Sequence, residues 1–100
     1  MRKEVGGSQM LTMWKYPLEV TDTQWLSDVP LPAEVMSVGL DPEGQMCVWV
    51  MVDPDQSQRK NVSVTITGTG NPISNIFTPK FVGSVTVGKF VWHVWVWVNG

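Results

Sequence analysis

The chain has 100 residues, a formal net charge of −2 from seven basic and nine acidic side chains, and six tryptophans among its ten aromatic residues. A chain of this length forms one domain that buries roughly two-thirds of the surface its unfolded form exposes, and its near-neutral charge gives no global attraction for an extended nucleic acid or an anionic membrane. One cysteine and one histidine exclude an intramolecular disulfide and a closed structural zinc site within one chain.

Residues 1–8, with Arg2, Lys3, Glu4 and the Gly6-Gly7 pair, hold too little apolar surface to fold alone and read as a flexible lead-in; 9–100 read as a single β domain. No positively charged segment followed by an apolar stretch opens the chain, so neither a secretory signal nor a membrane-spanning helix is expected, and the protein reads as intracellular. From Gln9 to Tyr16, Met10, Thr12, Trp14 and Tyr16 alternate with Leu11, Met13 and Lys15 as in a strand, closed by Pro17. Leu18 to Trp25 reads as a second, edge strand, and Asp28-Val29-Pro30-Leu31-Pro32 as a rigid extended connector, because proline fixes φ and suppresses helix.

Ala33–Leu40 and Gln45–Asp53 flank Asp41-Pro42-Glu43-Gly44, whose proline and exit glycine suit a hairpin turn. On the second arm Met46, Val48, Val50 and Val52 alternate with Cys47, Trp49 and Met51, so both faces are apolar; the arm reads as a central strand beside the C-terminal one, with Cys47 a buried, inert thiol. After Asp53-Pro54-Asp55 and a polar loop from Gln56 to Lys60, Asn61–Thr67 presents Val62, Val64 and Ile66 on one face and Ser63, Thr65 and Thr67 on the other. The first face suits the core and the second water or a ligand. A loop from Gly68 to Pro79 follows, in which Ile73, Ile76 and Phe77 are expected to anchor downward.

Phe81–Val87 and a turn at Gly88-Lys89 lead into the run Phe90-Val91-Trp92-His93-Val94-Trp95-Val96-Trp97-Val98. One face of this last strand carries Phe90, Trp92, Val94, Val96 and Val98, the other Val91, His93, Trp95 and Trp97. Both are apolar, as in a strand at the centre of a sheet covered on both sides. The fold class expected is all-β, a single small domain of roughly seven mainly antiparallel strands in a sandwich or partly open barrel. If Trp95 and Trp97 lay in water they would be an aggregation liability, so with Trp92 they are assigned to an oligomer interface.

Catalytic constellations are absent from the pattern. His93 lies in the most apolar run with no nucleophile marked beside it, and Asp53-Pro54-Asp55 has the form of an ordinary turn. The chain therefore reads as a binding protein, not an enzyme, with no metal and no cofactor. In Gly68-Thr69-Gly70-Asn71 the glycines let a ligand approach the backbone closely, although no Gly-Lys-Ser/Thr follows as in a phosphate-binding loop and a plain turn is the competing reading. Arg59 and Lys60 before it and Lys80 after it could supply cations, and Trp14, Lys15 and Tyr16 stacking surfaces and charge. With His93, these residues form the expected site for a nucleotide-like ligand.

The segments Trp14-Lys15-Tyr16-Pro17-Leu18, Val52-Asp53-Pro54-Asp55, Thr67-Gly68-Thr69-Gly70-Asn71-Pro72-Ile73, Phe81-Val82-Gly83-Ser84 and Val91-Trp92-His93-Val94 together resemble a family of small uncharacterised proteins encoded by tailed bacteriophages, over nearly the whole chain from Met13 to Val94. Where that family more often carries histidine after the second loop glycine, this chain carries Asn71, and the tryptophan-rich extension beyond His93 is its own. The resemblance implies a phage accessory protein in the cytoplasm of an infected bacterium. The expected role is counter-defence: a homo-oligomer that sequesters a small nucleotide-like immune signal of the host. The alternatives are an inhibitor that covers a host defence nuclease or effector, and a virion structural or morphogenesis component.

Overall fold

The computed structural model describes residues 10–73 and 79–98. They form seven strands: β1 (Thr12–Pro17), β2 (Thr23–Pro30), β3 (Glu34–Leu40), β4 (Met46–Val52), β5 (Arg59–Gly68), β6 (Lys80–Val87) and β7 (Phe90–Val98). Three make one sheet in the order β1-β4-β3 and four make another in the order β2-β5-β7-β6, with every neighbouring pair antiparallel. Neither sheet closes on itself, which settles the choice between sandwich and partly open barrel in favour of two open sheets packed face to face.

The core follows the two-residue alternation. Val48, Val50 and Val52 of β4, Val62 and Val64 of β5, and Val94 of β7 are fully buried and belong to one cluster with Leu18, Leu26, Val29, Ile66 and Val96. Each such side chain contributes about 1.5–3 kcal/mol by leaving water. On one side of the sandwich β3 and β6 also meet, and there Gly83 allows a close approach. A Cβ on it would sit 3.1 Å from Val38 Cγ1.

The predicted turns form as read. Asp41 N–H donates to Gln45 O at 2.9 Å, Gly44 turns with φ 83°, and Gly88 takes φ 59° at the first central position of the two-residue loop between Val87 and its partner Phe90. The final strand is central, as its two apolar faces imply, with β5 and β6 as neighbours.

Four expectations are corrected. The doubly apolar arm Met46–Val52 is not beside the C-terminal strand but at the centre of the other sheet, so apolarity on both faces marked it as central without saying in which sheet. The second strand runs from Thr23 into Pro30, not from Leu18. The Gln24 side chain donates to Glu19 O at 2.6 Å and accepts from Glu19 N at 3.1 Å, and this holds residues 19–24 as a tight loop, while Leu18 is buried and its N–H reaches Met46 O at 2.8 Å. Prolines are tolerated at the end of β2 because it is an edge strand, bent by a bulge between Leu26 and Val29 where Asp28 has φ 57°. Arg59 and Lys60 open β5 opposite Pro30 and Val29 instead of lying in a loop. Ile73 does not anchor downward but is 39% exposed, and Ile76 and Phe77 lie outside the described residues.

Candidate functional site

The register of β5 against β7 brings two of the singled-out segments together at one end of the four-stranded sheet, with Thr67 opposite His93 and Gly68 opposite Trp92. Gly68 to Asn71 is a β-turn, closed by Asn71 N–H on Gly68 O at 3.1 Å, with Gly70 at φ 88° where such a turn takes a positive φ. Gly68 allows a close approach: a Cβ there would lie 3.0 Å from Asn71 Nδ2 and 3.4 Å from the Trp92 ring, so the Asn71 carboxamide would have to shift to admit a side chain. His93 is held on both sides, its Nε2 2.8 Å from Thr69 Oγ1 and its Nδ1 2.7 Å from Ser84 Oγ. Both hydroxyls can donate or accept, so either tautomer is satisfied. The imidazole thereby ties β6, β7 and the turn to one another.

Beside this turn lies a cleft of about 380 Å³ lined by Gly68, Thr69, Asn71 and the run Lys89-Phe90-Val91-Trp92. Phe90 is 64% exposed and stacks on Trp92 with ring centroids 5.8 Å apart and planes 25° from parallel. An exposed ring in a stacked pair, a lysine and a carboxamide therefore share one concavity. Lys89 and Phe90 were not among the expected site residues. Their sequence signal was only the turn before them, and the register with β5 is what carries them to the Gly68 turn.

The remaining expected residues lie elsewhere. Lys15 is on the outer face of the three-stranded sheet, opposite Trp49, with Nζ 2.9 Å from Asp41 Oδ2. Trp14 and Tyr16 point to that sheet's inner side, opposite Val50 and Val48, with ring centroids 6.5 Å apart. Burial raises the Tyr16 hydroxyl's pKa, and the Arg59 guanidinium opposes that rise, so these two residues are within electrostatic reach. Arg59 and Lys60, however, start a ten-residue strand that ends at Gly68. At about 3.3 Å per residue this puts them roughly 30 Å from the turn. The positive patch expected around the loop from Arg59, Lys60 and Lys80 does not assemble there; Lys80 sits opposite Val96, partway along the sheet. Trp92 lies on the inner side with the core, while Trp95 and Trp97 face outward, so the three tryptophans do not share a surface.

The outer face of the four-stranded sheet is built from the residues that alternate with the core. Trp25, Ser63 and Trp97 form one row across it, and Thr23, Thr65, Trp95 and Phe81 the next. Trp95 Nε1 donates to Thr67 Oγ1 at 3.3 Å, and its ring meets Phe81 at 5.0 Å and 60°. The polar face read from Ser63, Thr65 and Thr67 is therefore roofed by indoles, which leaves Ser63 and Thr67 buried.

No helix among the described residues is long and apolar enough to cross a membrane, and no group of three or more His, Cys, Asp and Glu side chains among them could hold a metal ion. No curated protein and no solved structure matches the chain. A family model described as a domain of unknown function, DUF7352, matches residues 10–99, a span that takes in all seven strands and both surfaces described above, and the chain belongs to that family.

Proposed function

We propose that the domain is a non-enzymatic binding protein that holds a small nucleotide-like molecule in the cleft between the Gly68–Asn71 turn and Lys89–Trp92. One observation carries this reading: the exposed Phe90 ring, stacked on Trp92, shares its cleft with Lys89 and the Asn71 side chain. A base can extend the Phe90–Trp92 stack, Lys89 can meet a phosphate, and the carboxamide can donate to and accept from a base edge. Binding is favoured over catalysis because both nitrogens of the single imidazole meet hydroxyls, Thr69 and Ser84, and among the described residues no carboxylate orients it as a general base. In the setting implied by the phage resemblance, the protein is a counter-defence sponge, a homo-oligomer acting in the cytoplasm of the infected bacterium on a host nucleotide signal. A protein inhibitor of a host nuclease or effector is the second reading. It draws on the outer face, where Trp25 is 52% exposed, since exposed tryptophans often anchor protein interfaces.

Native mass spectrometry of protein purified from cells, then denaturation and mass analysis of what is released, tests the sponge. Nucleotide-sized mass is expected, and calorimetry with a panel of mono-, di- and cyclic nucleotides should show Phe90→Ala weakening the best binder about tenfold, as loss of one stacking partner does. Absence of released mass together with absence of heat from every nucleotide overturns the reading.

A further inference from the structure

We infer that the outer face of the four-stranded sheet carries a second binding site, for one neutral pyranose ring of a saccharide, in the cleft between Trp25 and Trp97 above Ser63. The cleft measures about 140 Å³; Trp25, Trp95 and Trp97 with Ile73, Pro79 and Val96 give it apolar walls, and Thr23, Ser63 and Thr65 supply its hydroxyls. Among the described residues it shares no lining residue with the cleft beside Phe90.

Three observations converge on this ligand. Ser63 is only 8% exposed, lines the cleft, and makes no side-chain hydrogen bond to any other described residue. Folded proteins pair such buried hydroxyls with protein, water or a ligand, so its oxygen is available to one. The walls are indoles: Trp25 is more than half exposed, and Trp95 is fixed by Thr67 and Phe81. Flat apolar rings of this kind suit the C–H face of a sugar, whose hydroxyls then meet Ser63 and the Thr23–Thr65 pair, themselves 3.3 Å apart.

Among the described residues the lining bears no charged side chain. A phosphate would find no cation there, whereas a neutral sugar needs none. The volume lies below the roughly 300–1,000 Å³ of clefts that enclose a whole drug-sized ligand. One ring therefore enters, and the rest of the saccharide lies along the open sheet.

The test is titration of the full chain with cellohexaose, maltohexaose, mannohexaose and chitohexaose, read by tryptophan fluorescence and by saturation-transfer NMR. At least one is expected to saturate at millimolar concentration or below. Trp25→Ala and Ser63→Ala should each weaken it about tenfold while melting cooperatively, and Phe90→Ala should leave it unchanged. Absence of binding by all four to the parent chain overturns the proposal, as does binding that survives both Trp25→Ala and Ser63→Ala. A loss on Phe90→Ala alone would place the sugar in the other cleft and equally overturn it. Absence of sugar binding leaves the nucleotide reading standing, because its readouts are released nucleotide mass and nucleotide binding heats.

Discussion

Asp41 shows how much one carboxylate organises. It accepts from Lys15 Nζ on Oδ2 and from the backbone N–H groups of Glu43 and Gln45 on Oδ1, and the Cys47 thiol lies 3.8 Å away. The Lys15 hydrogen bond, followed by the turn amides, holds its pKa down from an ordinary 3.8 to about 2. A carboxylate depressed in the folded state adds stability that is complete above its unfolded pKa and disappears as pH falls through the folded one. Urea midpoints should therefore drop between about pH 4 and pH 2, and Asp41→Asn, which keeps the Oδ1 acceptor but not the charge, should flatten that slope while lowering stability at neutral pH. An unchanged slope in the variant would assign the acid transition to other carboxylates. Cys47 is fully buried and its burial pushes the thiol pKa up. A disulfide reagent should label it only as fast as the chain opens, at once in denaturant and negligibly in native buffer. The turn at Asp41 was legible from Asp-Pro-Glu-Gly. Its partner was not, because Lys15 lies 26 residues away and reaches it only through the position of β1.

At the scale of the element, β7 is the strand on which the larger sheet depends, paired along its length with β5 and β6. Val94 at its middle is fully buried, whereas Val98 near its end is 37% exposed. Val94→Ala should cost about 2–3 kcal/mol, two methyl groups plus the cavity they leave, and Val98→Ala well under half of that, read from urea unfolding. Equal costs would mean that the end of the strand is as tightly packed as its centre. Gly88, at φ 59°, should resist replacement by alanine at a cost of about 1–2 kcal/mol, the penalty of a left-handed conformation for a residue with a Cβ. Alternation gave the faces of β4, β5 and β7 correctly, since side-chain direction is a local property of a pleated backbone. The division of strands between sheets was not legible, because β4 and β7 carry the same doubly apolar pattern and only long-range pairing separates them. The candidate site divided the same way. The Gly68 turn and His93 were visible as motifs, whereas Lys89, Phe90 and the Ser63 cleft exist only through cross-strand register.

The whole molecule is a slab of 49 × 34 × 17 Å with a radius of gyration of 15.0 Å, larger than the roughly 13 Å of a compact 100-residue domain, so its edges and outer faces make up much of its surface. One side is closed where β3 and β6 meet. On the other, β2 is blunted by its bulge and by Pro30, two devices that discourage edge pairing. Among the described residues β1 has neither a bulge nor a covering strand. Met13 and Trp14 are 47% and 36% exposed, Met10 and Leu11 before them 72% and 43%, and Lys15 is turned to Asp41. Antiparallel pairing of two copies about a twofold axis at Trp14 would set Met13 of one opposite Lys15 of the other and keep the two ammonium groups apart, a self-complementary edge. β7 cannot supply such an edge, since β5 and β6 occupy both of its sides. Sedimentation equilibrium should show concentration-dependent dimerisation that Met13→Lys abolishes, while the unfolding midpoint of the variant hardly moves, because exposed substitutions change stability by about 0.5 kcal/mol or less. Dimers that persist in Met13→Lys but dissociate on Trp95→Ala with Trp97→Ala would place the interface on the outer sheet face. A parent chain that stays monomeric throughout would leave the β1 edge and the aromatic face open to partners other than itself.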